Sequence, residues 1–89
     1  MIRFTKHARQ KFKILGLHYF NISKKQVLNV LQRPDLIDYS RLPLLIAQRK
    51  FDQSHVLRVV YKEEDSDKVM ITFYPGRIKQ YERKTKTKN

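Results

Sequence analysis

Residues 69–77, VMITFYPGR, decide how the rest of this chain is interpreted. Valine, isoleucine and phenylalanine alternate there with methionine, threonine and tyrosine, which is the period-2 pattern of a half-buried β-strand. Pro75 has no N–H to donate and Gly76 readily takes a positive φ, so the pattern predicts that the strand ends at this pair. The strand end would present Tyr74 and Arg77 together, and we interpret it as one half of a phosphate-binding site.

Other segments with strand composition precede this one and are separated from one another by short turn clusters. Strands joined by only three to five turn residues run antiparallel, so we expect a β-meander of about four strands. The last turn is acidic and covers residues 63–67. The predicted strands lie at residues 36–39, 44–51, 55–61 and 68–74.

Two helices are predicted ahead of the strands. Thr5 is a suitable N-cap for the first, which would stop at Gly16 in the left-handed conformation. The second begins at a capping box of Ser23 and Gln26 and ends before Pro34. The expected fold class is therefore α+β, with two N-terminal helices packed on an antiparallel sheet.

The charge balance is the strongest compositional feature. Twenty Lys and Arg against eight Asp and Glu give a formal net charge of +12 on 89 residues. This balance favours a polyanionic partner, because a cationic protein that binds one releases counterions. Nucleic acid, an anionic membrane surface and an acidic protein all fit, and the size of the basic excess favours nucleic acid.

The charge is also unevenly placed. Residues 1–13 carry five cations and no acid, residues 77–89 carry six cations and one acid, and four acids cluster at residues 63–67. We therefore expect two basic ends and one acidic loop. The candidate nucleic-acid contacts are Arg3, Lys6, Arg9, Lys11, Lys79 and Arg83.

Length and composition bound the class of protein. A chain this short makes one domain, which we place at residues 1–82, and residues 83–89 hold no apolar residue and predict a basic disordered tail. The absence of cysteine excludes a disulfide frame and a thiolate metal site. No apolar run resembles a signal peptide or a membrane span, which favours a soluble, cytoplasmic protein without a membrane partner.

Arg58 is the first candidate for chemistry, because it lies in mid-strand between Val56 and Val60. An arginine among apolar neighbours is costly unless it is paired or faces a cleft. Two interpretations remain open. Arg58 forms a salt bridge with Asp38 or Asp52, or reaches a sheet edge; alternatively it presents its planar guanidinium to a phosphate.

The predicted hairpin places Arg58 near Tyr74, so that Arg58, Tyr74, Arg77 and Tyr81 would converge. A tyrosine hydroxyl surrounded by cations can hold a phosphate oxygen or transfer a proton. The alternative is that both tyrosines are half-buried aromatic residues at a sheet edge.

His7 is the candidate general base. It lies in a dense basic group at a helix start, and both surroundings favour the neutral imidazole that a base requires. The alternative is that a strongly basic chain has to place its cations somewhere. His18 and His55 are interpreted as incidental.

Several other chemistries are excluded by spacing. No histidine pair has zinc-ligand spacing, carboxylates are too scarce near the basic ends for a two-metal nuclease, and two glycines cannot form a phosphate-cradling loop. We therefore expect neither a metal nor a cofactor.

Three short motifs carry a family resemblance. Residues 4–8 (FTKHA), 57–61 (LRVVY) and 71–77 (ITFYPGR) are similar in order and spacing to a small DUF family grouped with the BrnT and RelE toxins, over roughly residues 4–82. The resemblance implies a RelE-like fold and a type II toxin–antitoxin system. Such toxins are metal-independent ribonucleases, some acting on ribosome-bound mRNA, and an acidic or partly disordered antitoxin neutralises them.

By this resemblance His7 would be the base or acid, Arg58 and Arg77 the phosphate clamps, and Tyr74 or Tyr81 an assisting group. Attack of a ribose 2′-OH on the adjacent phosphate needs a base, an acid and charge stabilisation, but no metal. The leading expectation is a toxin-type endoribonuclease with RNA and an acidic antitoxin as partners. The alternatives are a non-catalytic basic module that binds nucleic acid and a domain that binds an acidic protein.

Overall fold

A computed structural model describes residues 1–18 and 22–79, and within these ranges both helices pack on one face of a five-stranded mixed sheet. The predicted α+β class is confirmed. The sheet order is β1-β5-β4-β3-β2. The elements are β1 (Ile2–Phe4), α1 (Lys6–His18), α2 (Lys24–Gln32), β2 (Leu36–Asp38), β3 (Leu45–Lys50), β4 (His55–Glu64) and β5 (Asp67–Arg77).

The expectation of an antiparallel meander of four strands is wrong by one strand. β1 pairs in parallel with β5, where Ile2 faces Lys68 and Phe4 faces Met70, while the other neighbouring strands pair antiparallel. Three residues are too few for an alternating pattern to be recognised, and a parallel partner lies far away along the chain. β1 was therefore not predicted.

Thr5 is the N-cap of α1, as predicted. Its Oγ1 accepts the N–H of Ala8 at 3.2 Å and also donates to the carbonyl of Ile71 at 3.2 Å. The Thr5 backbone N–H donates to the carbonyl of Met70 at 3.1 Å. Because the register of β4 and β5 shifts at this point of β5, Thr5 ties the start of α1 to an irregularity of the sheet.

α1 passes through Gly16 and ends at His18, so the predicted stop at Gly16 is wrong. A glycine inside a helix costs about 1 kcal/mol relative to alanine, but it does not end the helix by itself. α2 begins as predicted, since the Ser23 and Gln26 side chains each accept the other's backbone N–H. It ends at Gln32, before the proline.

Pro75 and Gly76 do not end β5, which continues to Arg77. Pro75 faces Leu57 of β4. β1 has already ended at this point, so the missing N–H of the proline falls on an edge without a strand partner among the described residues. The prediction of a strand end at the Pro-Gly pair is wrong for this reason.

Alternation divides the sheet side chains between two faces. The helix face packs against α1 and α2 and includes Leu57, Val59 and Phe73, each no more than 1% exposed. The far face carries Arg58 and Tyr74, which face each other across β4 and β5. Two of the candidate functional side chains, Arg58 and Tyr74, therefore lie on the face opposite the helices.

Candidate nucleic-acid interface

Beyond Met70, no strand among the described residues pairs with this edge of β5, which we call the open edge, and α1 contacts β5 there. Lys11 reaches from α1 around this edge, where its Nζ donates a hydrogen bond to Thr72 Oγ1 at 3.0 Å. The same Nζ lies 5.8 Å from the centroid of the Tyr74 ring. A predicted nucleic-acid contact and a predicted catalytic tyrosine are thus adjacent. We define the open-edge cluster as Lys11, Arg58, Thr72 and Tyr74.

Arg58 completes the open-edge cluster. Arg58 faces Tyr74 in the β4–β5 register, as expected from the predicted hairpin. Its guanidinium carbon lies 5.8 Å from the Tyr74 ring centroid. One guanidinium nitrogen donates to Asp38 Oδ2 at 2.8 Å, and the two side chains are only 6% and 15% exposed. Of the two interpretations of Arg58, the structure therefore shows the salt bridge with Asp38.

The Asp38 carboxyl is ionised across the physiological range. Hydrogen bonds from Ser40 and the neighbouring Arg58 guanidinium lower the pKa of Asp38 to about 2, although burial acts in the opposite direction. The Ser40 backbone N–H lies 2.9 Å from Asp38 Oδ1. Because this carboxylate already balances Arg58, a phosphate clamp at Arg58 would have to displace Asp38. The guanidinium instead lies beside the Tyr74 ring, with its carbon 5.8 Å from the ring centroid.

Lys11 has a different electrostatic setting. Its Nζ lies 5.8 Å from the ring centroids of both Phe73 and Tyr74, and burial lowers the pKa of its ammonium group. No carboxylate in the described ranges forms an ion pair with it. A partly desolvated ammonium with two aromatic neighbours is a good point of attachment for a phosphate oxygen.

α1 extends this positive surface. The helix contains no acidic residue, and Lys6, His7, Arg9 and Lys13 are all exposed. Within residues 1–18 and 22–79, no ion pair involves any of these four side chains. His7 precedes Lys11 by four residues, so it lies on the same side of α1 and about 6 Å away along the helix axis.

Arg3, a predicted nucleic-acid contact, is paired with acidic side chains of the protein itself. It forms ion pairs with Asp67 at 3.2 Å and Glu64 at 3.4 Å, and the terminal amino group of Met1 lies 3.2 Å from Asp67. The parallel pairing of β1 with the start of β5 brings the basic N-terminal segment against the acidic hairpin. The basic N-terminal end therefore lies directly beside the acidic loop.

Arg77 does not join Arg58 and Tyr74. It lies three positions beyond Tyr74, or about 10 Å along the strand, and alternation directs it to the helix face. There it faces His55 of β4. The expected convergence of Tyr74 with Arg77 is thus not observed, and Tyr81 and Arg83 lie outside the described residues.

A second group of polar side chains surrounds Arg77. A cleft of about 570 Å³ is lined by Ser54, His55, Arg77 and Lys79, together with Gln53 and Ile78. We call it the strand-end cleft. One wall is the turn that precedes β4, in which Asp52 Oδ1 lies 2.9 Å from His55 Nδ1.

Asp52 and His55 were missed from the sequence, where His55 was interpreted as incidental. Asp52 Oδ1 accepts the backbone N–H groups of Ser54 and His55, both at 2.8 Å. The Ser54 N–H is the main cause of the lowered pKa of Asp52, and the His55 side chain adds to it. An aspartate three residues before a histidine in a turn cluster is the pattern that would have predicted this contact.

Two further features, a metal-ligand group and a membrane-spanning helix, are absent from the described residues. Residues 1–18 and 22–79 contain no group of three or more histidines and acids that could hold a metal ion. No helix in the described part of the chain has the length and apolarity needed to cross a lipid bilayer.

The fold and the open-edge cluster together define a small, strongly basic α+β domain with a cationic helix beside a tyrosine on a sheet edge. Comparison with family models, with curated proteins and with solved structures found no match to this chain. The functional conclusion therefore depends on the geometry of the site.

Proposed function

We propose that the protein binds single-stranded RNA at the open-edge cluster and along α1. The observation that carries this proposal is the pair of cations, Lys11 and Arg58, that each lie 5.8 Å from the Tyr74 ring. Unpaired bases stack on aromatic rings, and the Lys11 ammonium beside the ring would attract an adjoining phosphate, whereas Arg58 is already paired with Asp38. Tyr74 is half-buried at an edge, so one part of its ring is held by the protein and another is accessible.

The exposed cations of α1 would track the RNA backbone on either side of Tyr74. Lys6, Arg9 and Lys13 have no carboxylate partner within the described ranges, so their charge is available to an external polyanion. Electrostatic attraction of this kind does not depend on base sequence. The expected binding is therefore salt-sensitive and weakly selective.

The structure favours RNA over a membrane surface as the polyanion. A membrane-binding helix inserts its apolar side into the lipid headgroup region. Phe12 on α1 is already packed within the fold, where its ring lies 5.8 Å from Phe4 and 4.5 Å from Phe73, measured between centroids. Lys6, Arg9 and Lys13 of the same helix are exposed.

Replacement of Tyr74 by leucine tests the proposal. Leucine keeps an apolar side chain but loses the stacking surface, so affinity for a twelve-residue oligouridylate should fall by about 5- to 150-fold, since one stacked base contributes ~1–3 kcal/mol. Fluorescence anisotropy of labelled RNA measures the change. Tyr39→Leu is the matched control, because Tyr39 is 61% exposed and lies outside the cluster. Equal affinity of both variants would exclude Tyr74 as the binding platform.

A second candidate function is metal-independent cleavage of the bound RNA. The observation that favours it is the position of His7, one helical turn before Lys11. His7 would accept the proton of a ribose 2′-OH, whose oxygen attacks the adjacent phosphorus. The bond to the 5′ oxygen then breaks, leaving a 2′,3′-cyclic phosphate and a 5′-hydroxyl once that oxygen gains a proton. Lys11 would stabilise the charge that develops on the phosphate.

Cleavage is tested by incubating RNA with the protein in EDTA. We expect 2′,3′-cyclic phosphate ends from wild type, none from His7→Gln, and none from the same substrate made with 2′-deoxyribose. If RNA stays intact with wild type as well as with His7→Gln, under conditions where binding is measured, the protein binds RNA without cleaving it.

The sequence resemblance adds two proposals to this second candidate function: the fold is RelE-like, and an acidic antitoxin is the partner protein. The uncompensated cations of α1 suit an acidic protein segment as well as RNA. An antitoxin that occupies α1 would compete with RNA, so purified complex should not bind oligouridylate until the partner is removed.

A further inference from the structure

The strand-end cleft is a second positively charged feature, separate from the open-edge cluster. Its two walls are the turn before β4 and the end of β5, and the N–H of Ile78 donates to the carbonyl of Ser54 at 2.9 Å to hold them together. Arg77 and Lys79 are both exposed and line the same cleft. This fixed geometry is what an anion site requires.

We propose that the strand-end cleft binds a phosphate group through Arg77 and Lys79, with His55 as a third contact. The anion would be a backbone phosphate of RNA, so this identification of the ligand rests on the proposed function. The cleft itself is a site for a tetrahedral oxyanion.

The contact between Asp52 and His55 fixes the orientation of the imidazole. Asp52 is held by two backbone N–H groups, and its carboxylate oxygens lie 2.9 and 3.1 Å from His55 Nδ1. The imidazole is 28% exposed and lines the cleft. A protonated imidazole is a donor at both ring nitrogens, so it pairs with Asp52 and adds positive charge to the cleft at the same time.

The charges that face His55 are Asp52 from the turn, Arg77 from β5 and Lys79 from the residue pair that follows β5. Asp52 remains ionised over the range in which imidazoles titrate, because the Ser54 N–H and His55 lower its pKa. A protonated imidazole would therefore add one positive charge to the cleft and strengthen phosphate binding.

A turn-capping role accounts for only part of this arrangement. Asp52 is in the position of a capping residue, and its bonds to Ser54 and His55 explain why an aspartate begins the turn. They do not explain why Arg77 and Lys79, from another part of the chain, converge on the same cleft.

The test uses an oligouridylate without terminal phosphates. His55→Gln should weaken binding about threefold, as expected for the loss of one surface contact. Arg77→Gln/Lys79→Gln should weaken binding about tenfold, since two charge-assisted contacts are lost.

Two comparisons separate this proposal from the proposed function. If Tyr74→Leu weakens binding and Arg77→Gln/Lys79→Gln does not, the strand-end cleft is excluded and the open-edge cluster stands. If only the cleft variant weakens binding, the cleft stands and the open-edge cluster is excluded.

A titration with sulfate, followed by amide chemical shifts, examines the cleft without RNA. We expect saturable shifts at Ser54, His55, Arg77 and Ile78 that are lost in the Arg77→Gln/Lys79→Gln variant. Shifts spread evenly over the basic residues of the molecule would overturn the proposal, even if RNA binds elsewhere.

Discussion

At the residue scale, the ion pair between Arg58 and Asp38 determines how the far face is held together. Both side chains are largely buried, and each would leave a costly unpaired charge if the other were removed. Arg58→Ala should therefore lower the free energy of unfolding by about 3–5 kcal/mol, as measured by urea denaturation at pH 7. Replacement of both residues, as in Arg58→Met/Asp38→Leu, should cost much less. Additive losses in the double variant would show that the two side chains do not act as a pair.

The Asp38 carboxyl also predicts a pH dependence of stability, because hydrogen bonds from Ser40 and the Arg58 guanidinium lower its pKa. The pKa of Asp38 is about 2 in the folded protein against an ordinary value of 3.8, so the ionised carboxylate stabilises the fold. That contribution is complete above about pH 4–5 and is lost as the pH falls toward 2. Asp38→Asn removes it, so the variant should show a shallower decline of unfolding free energy over this range. Parallel curves for wild type and Asp38→Asn would contradict the assigned pKa.

At the element scale, Thr5 couples α1 to β5 through three hydrogen bonds to or from its hydroxyl and backbone N–H. Thr5→Val keeps the shape but loses both hydroxyl contacts, so it should cost about 1–2 kcal/mol of stability. RNA affinity should fall as well, because α1 positions Lys11 beside Tyr74. Thr5→Ser keeps the hydroxyl and is the control. A Thr5→Val variant with unchanged melting temperature would show that other contacts fix the start of α1.

The β4–β5 hairpin provides a stabilising prediction. Its turn consists of Asp65 and Ser66, which have positive φ values of 52° and 70° and lie between the paired residues Glu64 and Asp67. Left-handed backbone costs a non-glycine residue about 1–2 kcal/mol. Ser66→Gly should therefore raise the free energy of unfolding by about 1 kcal/mol, whereas Ser66→Ala should not. Thermal unfolding of the three proteins distinguishes these outcomes.

The elements that sequence predicted well are those specified by local chemistry. The capping box of α2, the Thr5 N-cap and the alternating strands β3, β4 and β5 all depend on residues within a few positions of one another. The errors have non-local causes. β1 depends on a partner more than sixty residues away, and Pro75 is tolerated because no strand of the described residues pairs with the edge beside it.

The candidate site divides in the same way. Hairpin register was enough to place Arg58 beside Tyr74, because both residues belong to one pair of strands. The approach of Lys11 to Thr72 depends on how α1 lies against the sheet, which no local pattern specifies. Asp52 and His55 are only three residues apart, but their contact follows neither a metal-ligand nor a catalytic-triad spacing, so those patterns do not predict it.

At the scale of the whole molecule, the few acids are largely engaged within the fold. Their partners are Arg58, His55, Arg3, Lys62, the terminal amino group and the backbone N–H of Lys50. Among the described residues, the acids therefore form ion pairs with cations of β1 and β4 and with the terminal amino group, but with none on α1. The four cations of α1 thus form one basic surface that no carboxylate of the described residues compensates.

The salt dependence of RNA binding tests this basic surface. For single strands, log K falls with log salt by about 0.7 for each phosphate neutralised, so removal of three contacting cations should reduce the slope by about 2. The variant for this test changes the exposed α1 cations without a carboxylate partner to glutamine: Lys6, Arg9 and Lys13. The matched control removes three exposed cations on other elements: Lys25, Arg41 and Lys50.

Both triple variants lose the same net charge, so a difference between them reports position alone. If α1 contacts the RNA backbone, only its variant shows the reduced slope, and the control retains a slope within about one half of wild type. Anisotropy titrations at about 50 to 200 mM salt cover the range in which the two cases separate. Equal reductions in both variants would mean that the charge acts as a diffuse field, and α1 would lose its assignment as the path of the RNA.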